Sequence, residues 1–364
     1  MHKTTWVELS REALRHNANM VRRLAPKAAI LAMVKANGYG HGASWVAESL
    51  HQQVEGFAVA RLSEAQQLRA RLTKKHIQAR IVQLGTSVDG AVLQACSVHG
   101  LDLVIHDLES AKLLAASPLP RPITVWLKMN VGMNRLGMST EEFAQAHQLL
   151  CVQPHIASIH HMSHFSDAED LDPTLTEQQS LRLSELSSSL SGSPYPLSMA
   201  NSAAIIGHPN CHHDWVRPGI MLYGDDPTQR LHAANALKPV MTFKATVLAL
   251  RDVAPGDGVG YNRRWQAKSN ARIATVAAGY ADGYPRHAPD GTPVLVNGQR
   301  ASVAGRVSMD LMTIDVSHLP HTTVGDEVTL WGEGLAASEV GRYCGTISYE
   351  LFTRITSRVD RIYL

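Results

Sequence analysis

Residues 28–42 read AAILAMVKANGYGHG. An apolar run of strand length delivers one lysine, Lys35, and then gives way to Asn37, Gly38, Gly40 and Gly42, with Tyr39 and His41 between them. No GxGxxG follows the strand, which argues against an open, doubly wound dinucleotide fold. Glycine lets backbone approach a ligand closely, and an amine in partly apolar surroundings has its pKa lowered, which suits it to form an imine with a carbonyl compound. Taken alone, the stretch allows two readings: a Schiff-base lysine facing a carbonyl cofactor, or a strand-end lysine before a turn.

Outward from this stretch, strand and helix signals alternate. The strand-like segments are ILAMVK (30–35), GFAVA (56–60), RIVQLG (80–85), LDLVIHD (101–107), ITVWLKM (123–129), IASIHHM (156–162), PLSMA (196–200) and DWVRPGI (214–220). Helical patterns lie between them, as where Leu62, Ala65, Leu68 and Leu72 recur at helical spacing. Ser63 with Gln66, and Ser139 with Glu142, have the spacing of capping boxes. Eight strands with intervening helices predict an α/β fold, a (β/α)8 TIM barrel. From about Met241 the texture becomes strand-rich, and Asn297-Gly298 between two alternating segments signals a hairpin. The predicted domains are a barrel over 1–235 and an all-β domain over 236–364. Residues 5–9 form a short first strand that is free to join the β domain, and PTQRLHAANALKP (227–239) is the expected connector.

Composition narrows the class. The chain of 364 residues carries 34 basic and 32 acidic residues, a net charge of +2, and no basic run that would mark a nucleic-acid surface. No apolar run approaches the roughly 18 residues of a membrane helix, and the first residues lack a signal-like core, so a cytoplasmic location is expected. Cys96, Cys151, Cys211 and Cys344 are far apart, as reduced thiols would be. The clusters His160, His161, His164 and Cys211, His212, His213, Asp214 lack the spacing of a closed zinc site, and no metal is expected.

In such barrels function gathers at the C-terminal ends of the strands, and phosphate is often held after the seventh and eighth. Asn201-Ser202 opens a helix after the seventh strand, and Pro218-Gly219-Ile220 follows the eighth, offering a hydroxyl and accessible N–H groups to an anion. With Lys35, the same rim would hold an imine-forming amine and a phosphate cradle, and pyridoxal 5'-phosphate needs both. Lys128, Arg135, His164 and Arg217 fall at that rim as well. Each alone has a plain structural explanation, whereas their convergence argues for a site.

At this point the chain resembles the alanine racemases, pyridoxal-phosphate enzymes of the barrel type. The matching motifs, in order, are VKANGYGHG (34–42), LKMNVGMNRLG (127–137), SHFSDAED (163–170), ANSAA (200–204), VRPGIMLYG (216–224), GVGYNRRW (258–265), GYADGYPR (279–286), GRVSMD (305–310) and TISYELFTRITSRVDRIY (346–363). The resemblance implies that Lys35 carries the cofactor and that Lys35 and Tyr261 are the two catalytic bases. It implies that Tyr39, Ser202, Gly219, Ile220 and Tyr349 hold the phosphate. Arg217 would face the pyridine nitrogen, with His164 between Arg217 and Tyr261. Arg135 would reach the cofactor's phenolic oxygen and, with Met309, the substrate carboxylate. Lys128 stands where the family often carries a carbamylated lysine. A homodimer with active sites shared between chains is also implied.

Asn130-Val131 departs from the family's usual Asp-Thr, which alters hydrogen bonding near Lys128. Racemisation needs one proton to leave Cα and another to arrive on the opposite face, so two bases are the economical arrangement. Lys35 would serve the D-face and Tyr261 the L-face. The expected product, D-alanine, would supply peptidoglycan, or the reaction would serve alanine catabolism. An amino-acid racemase of broader specificity on the same scaffold is the competing reading.

Overall fold

The computed structural model describes residues 4–85, 87–170, 172–192, 194–231 and 236–364. Among them the chain divides into two compact units, one drawn from residues 15–222, 226–231 and 236–237, the other from 4–14, 223–225 and 238–364. Part of the expected connector, residues 232–235, lies outside the described residues.

Strand β1 (Thr5–Leu9) belongs to the second unit. The first unit is a closed barrel of eight parallel strands: β2 (Ala29–Met33), β3 (Gly56–Val59), β4 (Arg80–Gln83), β5 (Asp102–Ile105), β6 (Ile123–Lys128), β7 (Ile156–Met162), β8 (Leu197–Ser198) and β9 (Trp215–Val216), with β9 pairing back onto β2. This is the predicted TIM barrel. Helices cover its outer face, so the strands are buried on both sides and read as near-continuous apolar runs. Ile30, Leu31 and Ala32, Phe57, Ala58 and Val59, and Val125, Trp126 and Leu127 have no exposed surface.

Of the two expected capping boxes, one forms: Glu142 N–H donates to Ser139 Oγ (3.2 Å) and Ser139 N–H to Glu142 Oε2 (2.9 Å). The other does not. The helix Leu62–Lys74 starts two residues earlier than that reading requires, which leaves Ser63 inside it. Glu64, at the third helical position, reaches back instead to accept the N–H groups of Ala60 and Arg61, both at 3.0 Å.

Of the histidine clusters, His160, His161, His212 and His213 have packing roles. His160 stacks on Trp126 with ring centroids 4.3 Å apart, whereas its neighbour His161 turns the other way to meet Ser187 Oγ at 2.8 Å. His212 bonds the carbonyl of Ile205 (3.0 Å) and His213 the hydroxyl of Ser180 (2.7 Å).

The second unit contains β10 (Met241–Val253), β11 (Gly258–Val259), β12 (Trp265–Gln266), β13 (Ala271–Val276), β14 (Pro293–Val296), β15 (Gln299–Val303), β16 (Met312–Asp315), β17 (Glu327–Trp331) and β18 (Asp360–Tyr363). Its main sheet runs β13-β16-β15-β14-β17-β10-β1-β18, and a further ladder joins β13 to β10, so six of the strands pair in a ring. Asn297 and Gly298 make the turn between β14 and β15 with φ of 47° and 79°, the left-handed pair a two-residue hairpin requires. β1 pairs antiparallel with β10 and parallel with β18.

Candidate active site

Lys35 does not end its strand. The ladder stops at Met33, Val34 N–H still bonds Ala58 O at 2.8 Å, and the chain then enters a left-handed turn. Ala36, Asn37, Gly38 and Tyr39 have φ of 51°, 54°, 63° and 52°, and Gly40 has 81°. Asparagine and glycine tolerate this region, but Ala36 and Tyr39 each carry a penalty of roughly 1 kcal/mol. Bonds across the turn offset it: Gly38 N–H to Val34 O (2.8 Å), Gly42 N–H to Asn37 O (2.8 Å) and Ala43 N–H to Asn37 Oδ1 (3.1 Å). A Cβ on Gly38 would lie 3.0 Å from the nitrogen of Ala43, so a larger residue would fit there only tightly. Glu64 Oε1 accepts the N–H of Ala36 at 2.7 Å, so the carboxylate that caps one helix also fastens this turn.

The amine of Lys35 shares the C-terminal end of the barrel with three other cations. Burial lowers its pKa first, and the charges of Arg135 and Arg217 lower it further, with Glu64 opposing them. Lys128, at the end of β6, is brought down to about 8 by burial and then by Arg217, Arg135 and Lys35. Arg217 is 4% exposed. Its guanidinium donates to Ser198 Oγ (2.7 Å), Ser163 O (2.6 Å), Met199 O (3.2 Å) and His164 Nδ1 (3.2 Å), and burial lowers its pKa only to about 10, so it stays charged. Guanidinium has no acceptor, so His164 must accept at Nδ1 and carry its proton on Nε2. Burial, followed by Arg217, Lys128, Arg135 and Lys35, holds His164 well below the ordinary imidazole range and therefore neutral.

Arg135 sits in a loop braced by Asn130. The Asn130 Oδ1 atom accepts the N–H groups of Gly132 (3.1 Å) and Asn134 (3.0 Å), and its Nδ2 donates to Asn134 Oδ1 (2.8 Å). Gly137 closes the loop at φ 121°, where a Cβ would lie 2.6 Å from the nitrogen of Asn130. Asparagine therefore keeps the two acceptances open to an aspartate and adds a donation that an ionised carboxylate cannot make.

The helix Ser202–Gly207 is capped by Asn201, whose Oδ1 accepts the N–H of Ala204 at 3.0 Å. Ser202 Oγ accepts the N–H groups of Gly219 (3.0 Å) and Met221 (3.3 Å), which leaves its own proton to be donated. Ile220 opens the single helical turn Ile220–Tyr223, whose leading N–H groups have no acceptor within the turn. The buried Tyr39 lies against Gly219. Its phenol is raised well above the usual range by burial and stays protonated.

The remaining predicted residues belong to the second unit. Tyr261 is 66% exposed, in a short turn after β11, and Met309 is 53% exposed. Tyr349 lies in the helix Ser348–Arg354. The segment bearing Met309 is held by features the sequence reading did not single out. Ala281 N–H bonds Met309 O at 3.0 Å, and Arg358 bridges the buried Asp282 (2.9 Å) and Asp310 (2.8 Å). The serines that grip Arg217 and the clamp made by Glu64 were likewise not anticipated; one alternating serine in a strand carries no signal of its role.

The barrel rim suits a dianionic aldehyde cofactor. After burial, Arg135 and Arg217 depress the proton affinity of Lys35, and together with Lys35 that of Lys128, which an anion placed among them would relieve. The hydroxyl of Ser202, the glycine at 219 and the lowered amine of Lys35 are the donor set and the nucleophile that pyridoxal phosphate requires.

Residues 9–227 match the model of the alanine racemase N-terminal domain, and residues 240–363 that of the C-terminal domain. The biosynthetic alanine racemase of Pseudomonas aeruginosa is 46% identical over 358 residues, covering 98% of each chain. The crystal structure of the P. aeruginosa biosynthetic alanine racemase superimposes with a TM-score of 0.92 at 44% identity over 100% of this chain and 99% of that one. The alanine racemase of Bartonella henselae, solved with covalently bound pyridoxal phosphate, gives a TM-score of 0.88 at 27% identity over 99% of both chains. The motifs, the barrel with its attached β unit and these full-length likenesses agree, and the chain belongs to the alanine racemase family.

Proposed function

We propose that this chain interconverts L- and D-alanine with pyridoxal 5'-phosphate as cofactor, one of two bases, Lys35 and Tyr261, taking the Cα proton while the other supplies a proton to the opposite face. The observation that carries the reading is the cationic rim around a lysine whose pKa is lowered by burial and by Arg135 and Arg217. A lysine held low has a larger neutral fraction near pH 7 and can accept a proton there. When bound, the cofactor supplies an electron sink for the charge left at Cα.

Tyr39, Ser202, Gly219, Ile220 and Tyr349 are the proposed phosphate ligands. Arg217, charged and fixed by three oxygen acceptors and His164, would present a donor to the pyridine nitrogen without giving up its proton. His164, accepting from Arg217, keeps its proton on Nε2, where it would serve as a donor for the oxygen of Tyr261. A phenol acting as a base near neutrality needs such a donor for its anion. Arg135 and the backbone at Met309 would orient the substrate carboxylate. Lys128, with a pKa near 8, offers the neutral amine that carbamylation requires, and the resulting anion would sit beside Arg135.

Tyr261 and Lys35 belong to different units, and we assign the completed site to a two-fold homodimer in which each chain supplies one of them. The reaction would take place in the cytoplasm and supply D-alanine for peptidoglycan or serve alanine catabolism. Proton exchange at Cα in D2O with L-alanine, L-serine and L-lysine, both enantiomers being followed, tests the assignment. Alanine should racemise fastest. Absence of alanine racemisation in the cofactor-loaded protein contradicts the proposal, and equal rates on all three substrates would favour the broader-specificity reading.

A further inference from the structure

The turn that presents Lys35 has a left-handed backbone at Ala36, Asn37, Gly38 and Tyr39. Such a turn relaxes unless something outside it holds the first peptide in place. The carboxylate of Glu64 lies 28 positions further along the chain. One of its oxygens takes the Ala36 N–H at 2.7 Å, and the other takes the N–H groups of Ala60 and Arg61 at 3.0 Å each. It thus ties the exit of β2 to the exit of β3 and to the first turn of the helix Leu62–Lys74. We propose that Glu64 is a positioning residue: through the Ala36 N–H it keeps the turn left-handed and aims the Lys35 amine into the rim. The inference rests on the racemase reading for its purpose, but not for its test.

The charged and titratable groups that act on Lys35 are Arg135, Arg217 and Glu64, with Lys128 and His164 sharing the same cluster. Glu64 raises the pKa of Lys35 against the two arginines. Removing its charge while keeping its shape must therefore lower that pKa.

Two measurements on the full chain, freed of cofactor with hydroxylamine, decide the matter. The first is the pH midpoint for acetylation of Lys35 by dilute acetic anhydride, read by peptide mass spectrometry. In Glu64→Gln it should fall by about half a pH unit or more, the direction that loss of the Glu64 charge dictates. The second is hydrogen exchange at the Ala36 amide, which should quicken at least tenfold in Glu64→Ala with exchange in β6 unchanged. Either quantity remaining at its wild-type value overturns the proposal. Neither readout depends on turnover, so a chain inactive on alanine that shows both effects would contradict the proposed function and uphold the clamp. A racemase showing neither would do the reverse.

Discussion

The phenolic oxygen of Tyr39 stands 2.6 Å from the point at which a side chain on residue 219 would begin. Tyr39 reaches that place from the left-handed turn after β2, and Gly219 follows β9, the neighbouring strand on the closed barrel. One residue is a glycine because the other fills its side-chain space. The Ser202 hydroxyl, bonded to the same glycine's N–H, completes the proposed phosphate cradle.

Gly219→Ala should therefore push Tyr39 out of the cradle and weaken pyridoxal phosphate binding about tenfold, or about 1.4 kcal/mol. In a Tyr39→Phe background the same substitution should cost less, and a double-mutant cycle built on absorbance titrations of the cofactor reads that coupling. Additive losses would show that the two residues do not share the space.

Lys128 is brought down to about 8 by burial and its cationic neighbours, so the neutral amine that reacts with carbon dioxide grows through the range pH 7 to 9. In 13C-bicarbonate the protein should show a carbamate resonance that strengthens over this range and disappears in Lys128→Ala. A resonance that persists in the variant would place the modification elsewhere.

The buried histidines make stability depend on pH. His161 is held down at about 3 and His160 at about 4, each chiefly by burial, against an ordinary value near 6.5. These are bases with depressed folded-state pKa values, so their contribution is intact above pH 6.5 and is lost as the pH falls, because the unfolded chain takes up the proton first. Between about pH 6 and 5 each should remove about 1.4 kcal/mol per pH unit. Urea unfolding over this range should show a shallower slope for His160→Gln than for the wild type, whatever the absolute cost of the lost stacking on Trp126. Parallel slopes would mean that His160 is protonated in the fold.

If two chains share each site, Lys35→Ala and Tyr261→Phe subunits, each inactive alone, should regain activity on mixing. Half of the sites in a hybrid dimer would then be wild type, so purified hybrids should recover roughly half of the wild-type rate. No recovery in verified hybrids would place both bases in one chain.

Much of this architecture is local in origin and therefore legible in the sequence. Short apolar runs separated by helical patterns mark the barrel strands, Asn297-Gly298 marks a hairpin, and Ser139 with Glu142 marks a helix start, because each depends on neighbours in the chain. What escaped depends on distant partners. β1 is free in the sequence to join the β domain, but the register of its pairing, Trp6 opposite Lys244 and Asp360, has no local signature. Ala36 and Tyr39 are not left-handed formers, so Lys35 reads as a strand residue until Glu64 is seen to hold the turn. β8 and β9 are two residues each, shorter than their apolar runs suggest.

The two-base assignment is tested most directly by Cα proton exchange in D2O with Tyr261→Phe. With Lys35 intact on the D-face, D-alanine should exchange its proton within about tenfold of the wild-type rate, while exchange from L-alanine falls about a thousandfold, within the 10²–10⁴ that general acid–base catalysis contributes. Equal loss from both enantiomers would contradict the division of labour between Lys35 and Tyr261.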